Sequence, residues 1–322
     1  LKGNSMKALR LCVLGGTGFV GTHLVHRLVS LGHSVTVLTR HPERHRNFRV
    51  GSAVRLLATD PYDADALQTV LTDMDGVINL VGILNEEGKS QFQNAHVELP
   101  RSIVKAMRES GTTRLVHMSA LNANVNESRS RYLKSKGEGE DLVHNAPGLE
   151  VTSFCPSVVF GPGDSFFNRF TTLLQISPLL FPLACANTRF APVYVGDVVE
   201  AFVKALGDKA TIGQRLELCG PRTYSLKQLV QFTAKLSGRN TIVTGMPDFA
   251  ARLQGHLLSL APGKPFTIDN YYSLQQDSVC SKSALIGMGI TPRSVEAVVP
   301  TYLGDNRSRA QYFRYRSQAR RP

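Results

Sequence analysis

Short apolar runs alternate with amphipathic segments along the first half of the chain. A short apolar run predicts a buried strand, and apolar residues three and four positions apart predict one face of a helix. The predicted strands are residues 11–14, 34–38, 54–58, 76–81, 115–118 and 150–154. The predicted helices are residues 22–31, 97–110 and 131–144, with another around Leu67, Val70 and Leu71. Because strand and helix alternate, we expect an α/β fold, a doubly wound parallel sheet of the Rossmann type.

The regular alternation ends after residue 164. Residues 165–189 are rich in Phe and Leu, which is typical of a lid or a partner lobe, whereas a strand at 193–195 and a helix at 197–206 are expected to return to the main sheet. We therefore predict four parts. They are a dinucleotide-binding domain at 6–164, a returning segment at 191–210, a smaller C-terminal lobe made of 165–190 and 211–303, and a basic tail at 304–322.

A glycine-rich turn joins the first predicted strand to the first predicted helix. Glycine permits positive φ and the close approach of a pyrophosphate, and the N–H groups at a helix start favour an anion. A plain tight turn is the alternative, but the position between strand and helix favours a nucleotide site. The residues predicted to contact the phosphates are Gly15, Thr17, Gly18, Phe19, Val20 and Gly21.

The carboxyl ends of the other strands are expected to complete this site. Ligands of open parallel sheets bind in the crevice beyond these ends. The further residues predicted to contact the cofactor are Thr39, Arg40, Asp60, Val81, Gly82, Ser119, Pro156, Ser157 and Val158.

The end of the second strand favours NADP(H) as the cofactor. Proteins that prefer NAD usually place a carboxylate there for the ribose hydroxyls, whereas this chain has Thr39 followed by Arg40. A guanidinium can bind a 2′-phosphate through two parallel hydrogen bonds. The alternative for Arg40 is a surface arginine that opens a basic loop with Arg44 and Arg46. Asp60 also has two interpretations, as an acceptor for the adenine amino group or as the cap of the next helix.

Tyr132 and Lys136 are the candidate catalytic pair. Their spacing puts both side chains on one face of the predicted helix. An ammonium beside a phenol is expected to lower the phenol pKa, which lets a tyrosine exchange a proton with a carbonyl or an alcohol. The spacing is common by chance, but its position after the fifth strand predicts that both residues also contact the nicotinamide side of the cofactor.

The whole chain has a formal net charge of +12, and positive charge is concentrated at its end. The tail carries Arg307, Arg309, Arg314, Arg316, Arg320 and Arg321. The tail is interpreted either as a solvated end or as a docking segment for anionic lipid or for an acidic face of a membrane-associated protein complex. No nucleic-acid motif accompanies the charge, so nucleic acid is not an expected partner.

The remaining composition predicts a soluble protein of the cytoplasm. The most apolar stretch, at 176–186, is too short to span a bilayer and contains two prolines. The five cysteines are widely scattered, so their spacing predicts neither a metal site nor a disulfide framework and favours a reducing compartment.

Together these motifs resemble the extended short-chain dehydrogenase/reductase superfamily, from about residue 11 to residue 229. The segments that carry the resemblance are residues 15–21, 132–136, 156–164 and 193–198. More narrowly, residues 117–124 and 130–133 resemble the family of NADPH-binding accessory subunits of respiratory complex I and their bacterial relatives. The resemblance implies a Rossmann fold, NADP(H), and a location peripheral to an inner membrane.

One position departs from the catalytic members of the superfamily. The resemblance implies a Ser or Thr hydroxyl that bonds the reacting oxygen where this chain has Ala120, and the loss of one such donor costs on the order of a hundredfold in rate. Ser119 and Asn122 are the nearby residues that could replace this donor.

Two functions stay open. One is an NADP(H)-binding protein with a structural or sensory nucleotide, associated with respiratory NADH:quinone oxidoreductase or quinone metabolism. The other is an active NADP-dependent oxidoreductase or epimerase for a small carbonyl, isoprenoid or quinone-like substrate.

Overall fold

The structure is a computed structural model that describes residues 7–49, 53–86, 88, 90–126, 128–177, 179–260, 264 and 266–303. Its strands, in chain order, are β1 (Arg10–Leu14), β2 (Ser34–Thr39), β3 (Val54–Ala58), β4 (Gly76–Asn79), β5 (Arg114–Met118), β6 (Glu150–Pro156), β7 (Val159–Phe160), β8 (Leu180–Leu183), β9 (Arg189–Phe190), β10 (Val193–Tyr194), β11 (Arg215–Leu218), β12 (Tyr224–Ser225) and β13 (Ile242–Gly245). A seven-stranded parallel sheet has the order β11-β6-β5-β4-β1-β2-β3. The doubly wound Rossmann fold is confirmed.

Helices cover both faces of this sheet. They are α1 (Phe19–Ser30), α2 (Ala64–Leu71), α3 (Gln91–Gln93), α4 (Leu99–Ser110), α5 (Arg131–His144), α6 (Phe166–Ile176), α7 (Val195–Gly207), α8 (Leu226–Leu236), α9 (Asp248–Leu258), α10 (Ile268–Ser273), α11 (Ala284–Gly287) and α12 (Val295–Leu303). A π-helical turn, Asn94–Glu98, joins α3 to α4. Helices α1 and α7 pack on one face, and α2, α4 and α5 pack on the other.

The alternation of side chains along β1 explains why every residue after its first is buried. Leu11 and Val13 belong to the core under α1 and α7, whereas Cys12 and Leu14 belong to the core under α2 and α4. A strand with helices on both faces is apolar throughout, which is the continuous run that the sequence shows. The described strands of the amino-terminal half therefore lie where the pattern predicts them, although β4 ends at Asn79 and not at residue 81.

The smaller lobe has a separate apolar core formed mainly by α6, α8 and α12, and it includes the parallel pair β8 and β13. Two details differ from the prediction. Strand β11, at Arg215–Leu218, joins the main sheet beside β6, although residues 211–303 were all predicted to belong to the lobe. Strand β10 pairs with β7 instead of the main sheet, whereas α7 does pack on that sheet beside α1.

The prediction that the cysteines form no disulfide is wrong. Cys219, directly after β11, is bonded to Cys280. The two residues are separated by 61 positions, and only the return of the chain to the end of β11 brings them together, so their spacing carried no signal.

Membrane crossing is not supported by any described helix, since none is both long and apolar enough. The predicted basic tail at 304–322 lies outside the described residues.

Candidate nucleotide-binding site

The glycine turn after β1 is built from close backbone contacts. Gly15 has φ of +78°, and a Cβ there would lie 3.0 Å from the backbone N of Val81. A Cβ on Gly21 would lie 2.2 Å from the carbonyl oxygen of Gly15, so α1 packs directly on the turn. Gly18 precedes the first residue of α1, and the first turn of this helix contains no acidic residue. The positive end of the helix dipole therefore has no carboxylate of its own.

The ends of β2 and β3 bring Arg40 and Asp60 close to Tyr62. Burial and the charge of Asp60 raise the pKa of Tyr62, and the charge of Arg40 opposes this shift. An oxygen of Asp60 accepts a hydrogen bond from the backbone N–H of Tyr62 at 3.0 Å. The cap of α2 is Asp63, so the interpretation of Asp60 as a helix cap is wrong. Its role beside adenine stays a prediction.

Lys136 lies where α5, the end of β5 and the loop after β4 meet. Its ammonium donates a hydrogen bond to the carbonyl oxygen of Met118 at 3.0 Å. A Cβ on Gly82 would lie 3.1 Å from the same nitrogen. Burial lowers the pKa of Lys136 to about 8, although the carboxylate of Glu140 opposes the shift. A cation is thus held in a desolvated position beside Gly82, one of the predicted cofactor contacts.

This lowered pKa makes the stability of the nucleotide-free protein depend on pH. Above about pH 8 the folded protein loses the Lys136 proton while the unfolded chain keeps it, so the free energy of unfolding rises with pH. We expect Lys136→Met to lack this rise, which is on the order of 2 kcal/mol between about pH 7 and pH 9.5. Urea unfolding at both pH values measures it. Exposed Lys134→Met is the control and should rise like the wild type; an equal rise in Lys136→Met would contradict the assignment.

The pKa of Tyr132 moves in the opposite direction from the prediction. The ring packs against Phe92 and His96, with centroids 5.9 and 5.5 Å away. Burial, and then the charge of Asp269, raise the pKa to about 12. Asp269 of α10 also accepts hydrogen bonds from the backbone N–H of Arg131 at 2.6 Å and of Tyr132 at 3.2 Å. The phenol therefore stays protonated at neutral pH and is a weaker acid than an ordinary tyrosine.

His96 connects two parts of the candidate site and was not among the residues predicted from the sequence. Its Nε2 accepts the backbone N–H of Ile83 at 3.1 Å, so Nδ1 carries the proton and donates to Ser135 Oγ at 2.8 Å. Ser135 in turn donates to the carbonyl oxygen of Tyr132 at 2.8 Å. Burial lowers the pKa of His96 to about 2, which keeps the ring neutral. The loop after β4 is thus linked to α5. The π-helical turn that places His96 has no recognised sequence signal.

The hydroxyl of Ser119 is bonded inside the protein. It donates to the carboxylate of buried Glu140 at 2.6 Å, and Cys155 Sγ lies 3.4 Å from the other oxygen. Glu140 follows Lys136 by four residues on the same face of α5, a spacing from which it could have been recognised. Asn122 donates to the carbonyl oxygen of Asp277 at 2.8 Å. The hydroxyl proton of Ser119 is thus already used, and one of the two N–H groups of the Asn122 amide is bonded to Asp277.

A cleft of about 520 Å³ lies beside Ala120. Its lining also includes Asn122, Glu140, Cys155, Arg215 and Asp277. The chain around Ser278 approaches the end of β6. The hydroxyl of Ser157 there donates a hydrogen bond to the carbonyl oxygen of Ser278 at 2.7 Å. The ends of β5 and β6, where Pro156 and Ser157 were predicted to contact the cofactor, are therefore partly covered by that segment.

Comparison with known proteins identifies the family to which the chain belongs. A profile described as the NAD dependent epimerase/dehydratase family matches residues 11–219. The chain belongs to this family. A Mus musculus relative named NADH dehydrogenase (ubiquinone) 1 alpha subcomplex subunit 9, mitochondrial, is 31% identical over 271 residues, covering 82% of this chain and 71% of that protein. A Caulobacter vibrioides relative named ceramide reductase is 27% identical over 241 residues, or 74% of each chain.

Solved structures agree on the fold. The dTDP-glucose 4,6-dehydratase of Streptomyces venezuelae, determined with NAD and TYD bound, matches with a TM-score of 0.72 at 18% identity. The match covers 93% of this chain and 98% of the dehydratase.

The residues of this epimerase/dehydratase family member fit a dinucleotide along one edge of the sheet. Gly15 contacts the backbone at Val81, and Gly82 contacts Lys136, so the glycine turn, the loop after β4 and α5 are continuous. A Cβ on Gly18 would have only the carbonyl oxygen of Gly15 within 4 Å, at 3.3 Å, which leaves space above the start of α1. The roles of the individual predicted residues, Thr17, Phe19, Val20 and Val158 included, stay predictions.

Proposed function

We propose that the protein binds NADP(H) as a structural or sensory group and turns over carbonyl substrates poorly. The observation that carries this proposal is the cleft lining at Ala120. A methyl group stands where the resemblance to catalytic short-chain dehydrogenases implies a hydroxyl donor, while the hydroxyl of Ser119 is bonded to Glu140 and the amide of Asn122 is bonded to Asp277. A nicotinamide supplies hydride when it is bound, but transfer to a carbonyl needs donors that stabilise the developing charge on oxygen.

In this proposal each part of the nucleotide has its own binding residues. The N–H groups of the glycine turn bind the pyrophosphate, and Arg40 binds the 2′-phosphate. Asp60 accepts from adenine, and Lys136 binds the hydroxyls of the nicotinamide ribose. The phenol of Tyr132 is protonated at neutral pH, so it supplies a hydrogen-bond donor on the face of α5 that carries Lys136. None of these roles requires turnover.

The proposed setting is a peripheral position on a membrane-associated respiratory NADH:quinone oxidoreductase. The support is the similarity to relatives that are named as subunits of NADH dehydrogenase or NADH-ubiquinone oxidoreductase in Mus musculus and Neurospora crassa. The net charge of +12 suits an anionic surface.

The preference for NADP(H) is tested at Arg40. We expect wild-type protein to bind NADPH more tightly than NADH, and Arg40→Glu to remove most of this difference, roughly 1.5 to 3 kcal/mol for a charge-assisted contact. Calorimetric titration of both nucleotides measures it. Arg44→Glu changes an exposed arginine of the same basic loop and should leave the preference intact. Equal affinities of wild-type protein for NADPH and NADH would refute the assignment.

A second candidate function is an NADP-dependent reductase. Tyr132 and Lys136 are both retained on α5, and the Caulobacter vibrioides relative is named a ceramide reductase. The two functions are separated by purifying the protein with its nucleotide and adding carbonyl compounds and quinones. A nicotinamide that keeps its redox state supports the structural or sensory role, whereas rapid oxidation of NADPH by one substrate supports the reductase.

A further inference from the structure

Helix α9 and the residues after it expose a continuous apolar stripe. We define the α9 stripe as Phe249, Leu253, Leu257 and Leu260, whose side chains are 74%, 57%, 60% and 86% exposed. Their spacings of four, four and three residues place them on one side of a helix. Large apolar side chains that are exposed together mark an interaction surface more often than scattered ones do.

The opposite side of α9 is the side that packs on the protein. Ala251 is buried with Ala184 and Tyr271. A Cβ on Gly255 would lie 3.2 Å from Cα of Ile268, so α10 approaches the helix closely on this side. Positions 251 and 255 are about 200° and 240° around the helix from Phe249, at 100° per residue. The α9 stripe therefore points away from the contacts that fix α9 in the lobe.

The segment of sequence that contains the α9 stripe carries mostly positive charge. Between residues 222 and 264 the basic residues are Arg222, Lys227, Lys235, Arg239, Arg252 and Lys264. Asp248 is the acidic residue of this segment, and it already pairs with Arg252 at 3.1 Å. The tail beyond residue 303 is also basic. Like charge disfavours the tail or a second copy of the chain as the occupant of the stripe, whereas an anionic surface is favoured by both features.

We propose that the small lobe docks on an anionic phospholipid bilayer through the α9 stripe. Helix α9 has eleven residues and none of the described helices is long and apolar enough to span a membrane, so it lies in the plane of the interface. The stripe enters the boundary between headgroups and acyl chains, and the excess of lysine and arginine in this segment of the chain favours anionic headgroups. The α9 stripe contains none of the residues assigned to the nucleotide, so the proposal does not depend on the proposed function.

The absence of tryptophan from the sequence gives a direct test. In Phe249→Trp the new indole is the sole tryptophan emitter of the full chain. With vesicles of phosphatidylcholine and phosphatidylglycerol, we expect its emission to shift to shorter wavelength and to be quenched by lipids with brominated acyl chains. Ile286→Trp is the matched control, because Ile286 is 73% exposed on α11 outside the α9 stripe. Its emission should not change.

Affinity supplies the second measurement. In vesicle flotation, L253Q/L257Q is expected to weaken partitioning at least about tenfold, because two apolar side chains no longer enter the interface. Ile286→Gln should partition like the wild type. Unchanged melting temperature and nucleotide affinity in L253Q/L257Q establish that the variant is folded.

Three results would overturn the proposal. The first is a wild-type protein that fails to bind the anionic vesicles, and the second is L253Q/L257Q that partitions like the wild type. The third result is a wild-type protein that is a dimer while L253Q/L257Q is a monomer. The first assigns the α9 stripe to a protein partner, the second assigns lipid binding to another segment such as the tail, and the third assigns the stripe to self-association.

Discussion

Gly21→Ala is expected to destabilise the nucleotide domain strongly, whereas Gly18→Val is expected to abolish nucleotide binding in a folded protein. A Cβ on Gly21 would lie 2.2 Å from the carbonyl oxygen of Gly15, which belongs to rigid backbone and cannot move aside. Helix α1 must then separate from the turn, at a cost on the order of 3 kcal/mol or more. Gly18 has φ of −77°, which valine adopts readily, and only the oxygen of Gly15 is close to its Cβ position.

Chemical denaturation and calorimetric titration separate the two effects. Gly287→Ala is the control, because Gly287 is also helical and a Cβ there meets nothing within 4 Å. It should match the wild type in both measurements. A Gly21→Ala protein of unchanged stability would mean that α1 does not pack on the turn, and undiminished NADPH binding by Gly18→Val would mean that the turn has no role in phosphate binding.

Ala120→Ser is expected to raise the hydride transfer of a nearly inactive protein on the order of a hundredfold, because it restores a donor for the charge that develops on the substrate oxygen. Wild-type turnover with panels of carbonyl compounds and quinones should be close to background. Adding Tyr132→Phe to Ala120→Ser should remove the gain if the phenol donates the proton, as predicted. In the wild-type background, Tyr132→Phe should spare NADPH affinity more than Lys136→Ala does.

Absorbance of NADPH under saturating nucleotide measures this turnover. Ala123→Ser is the matched control, because it adds the same hydroxyl to the same cleft three residues further on. It should stay at background. The opposite result, vigorous reduction by wild-type protein that is lost in Tyr132→Phe, would make the protein a reductase that has relocated its third catalytic group.

Local patterns were sufficient to predict the parts of the fold that carry the nucleotide site. The apolar run of β1 and the glycines that follow it need no distant contact to be recognised. The shared face of Tyr132 and Lys136 follows from helical spacing alone, and both residues lie in α5 as expected. The main sheet and its carboxyl edge could therefore be predicted from short segments of sequence.

The features that were missed depend on contacts between distant segments. Strand β11 has four residues and only two of them, Leu216 and Leu218, are apolar, so its place is set by pairing with β6. The raised pKa of Tyr132 depends on burial against rings from α3 and the π-helical turn and on Asp269 of α10. No local pattern contains this information, because each partner approaches only in the folded chain.

The bond between Cys219 and Cys280 closes a covalent ring that contains α8, β13, α9 and α10. In a chain-entropy description, a loop of this length restricts the unfolded ensemble by about 4 kcal/mol. A protease that cuts the backbone once inside the ring leaves the two fragments joined, and they separate only after a thiol reductant breaks the bond. The helix with the α9 stripe therefore stays attached to the edge of the nucleotide-binding sheet even when the chain between them has been cut.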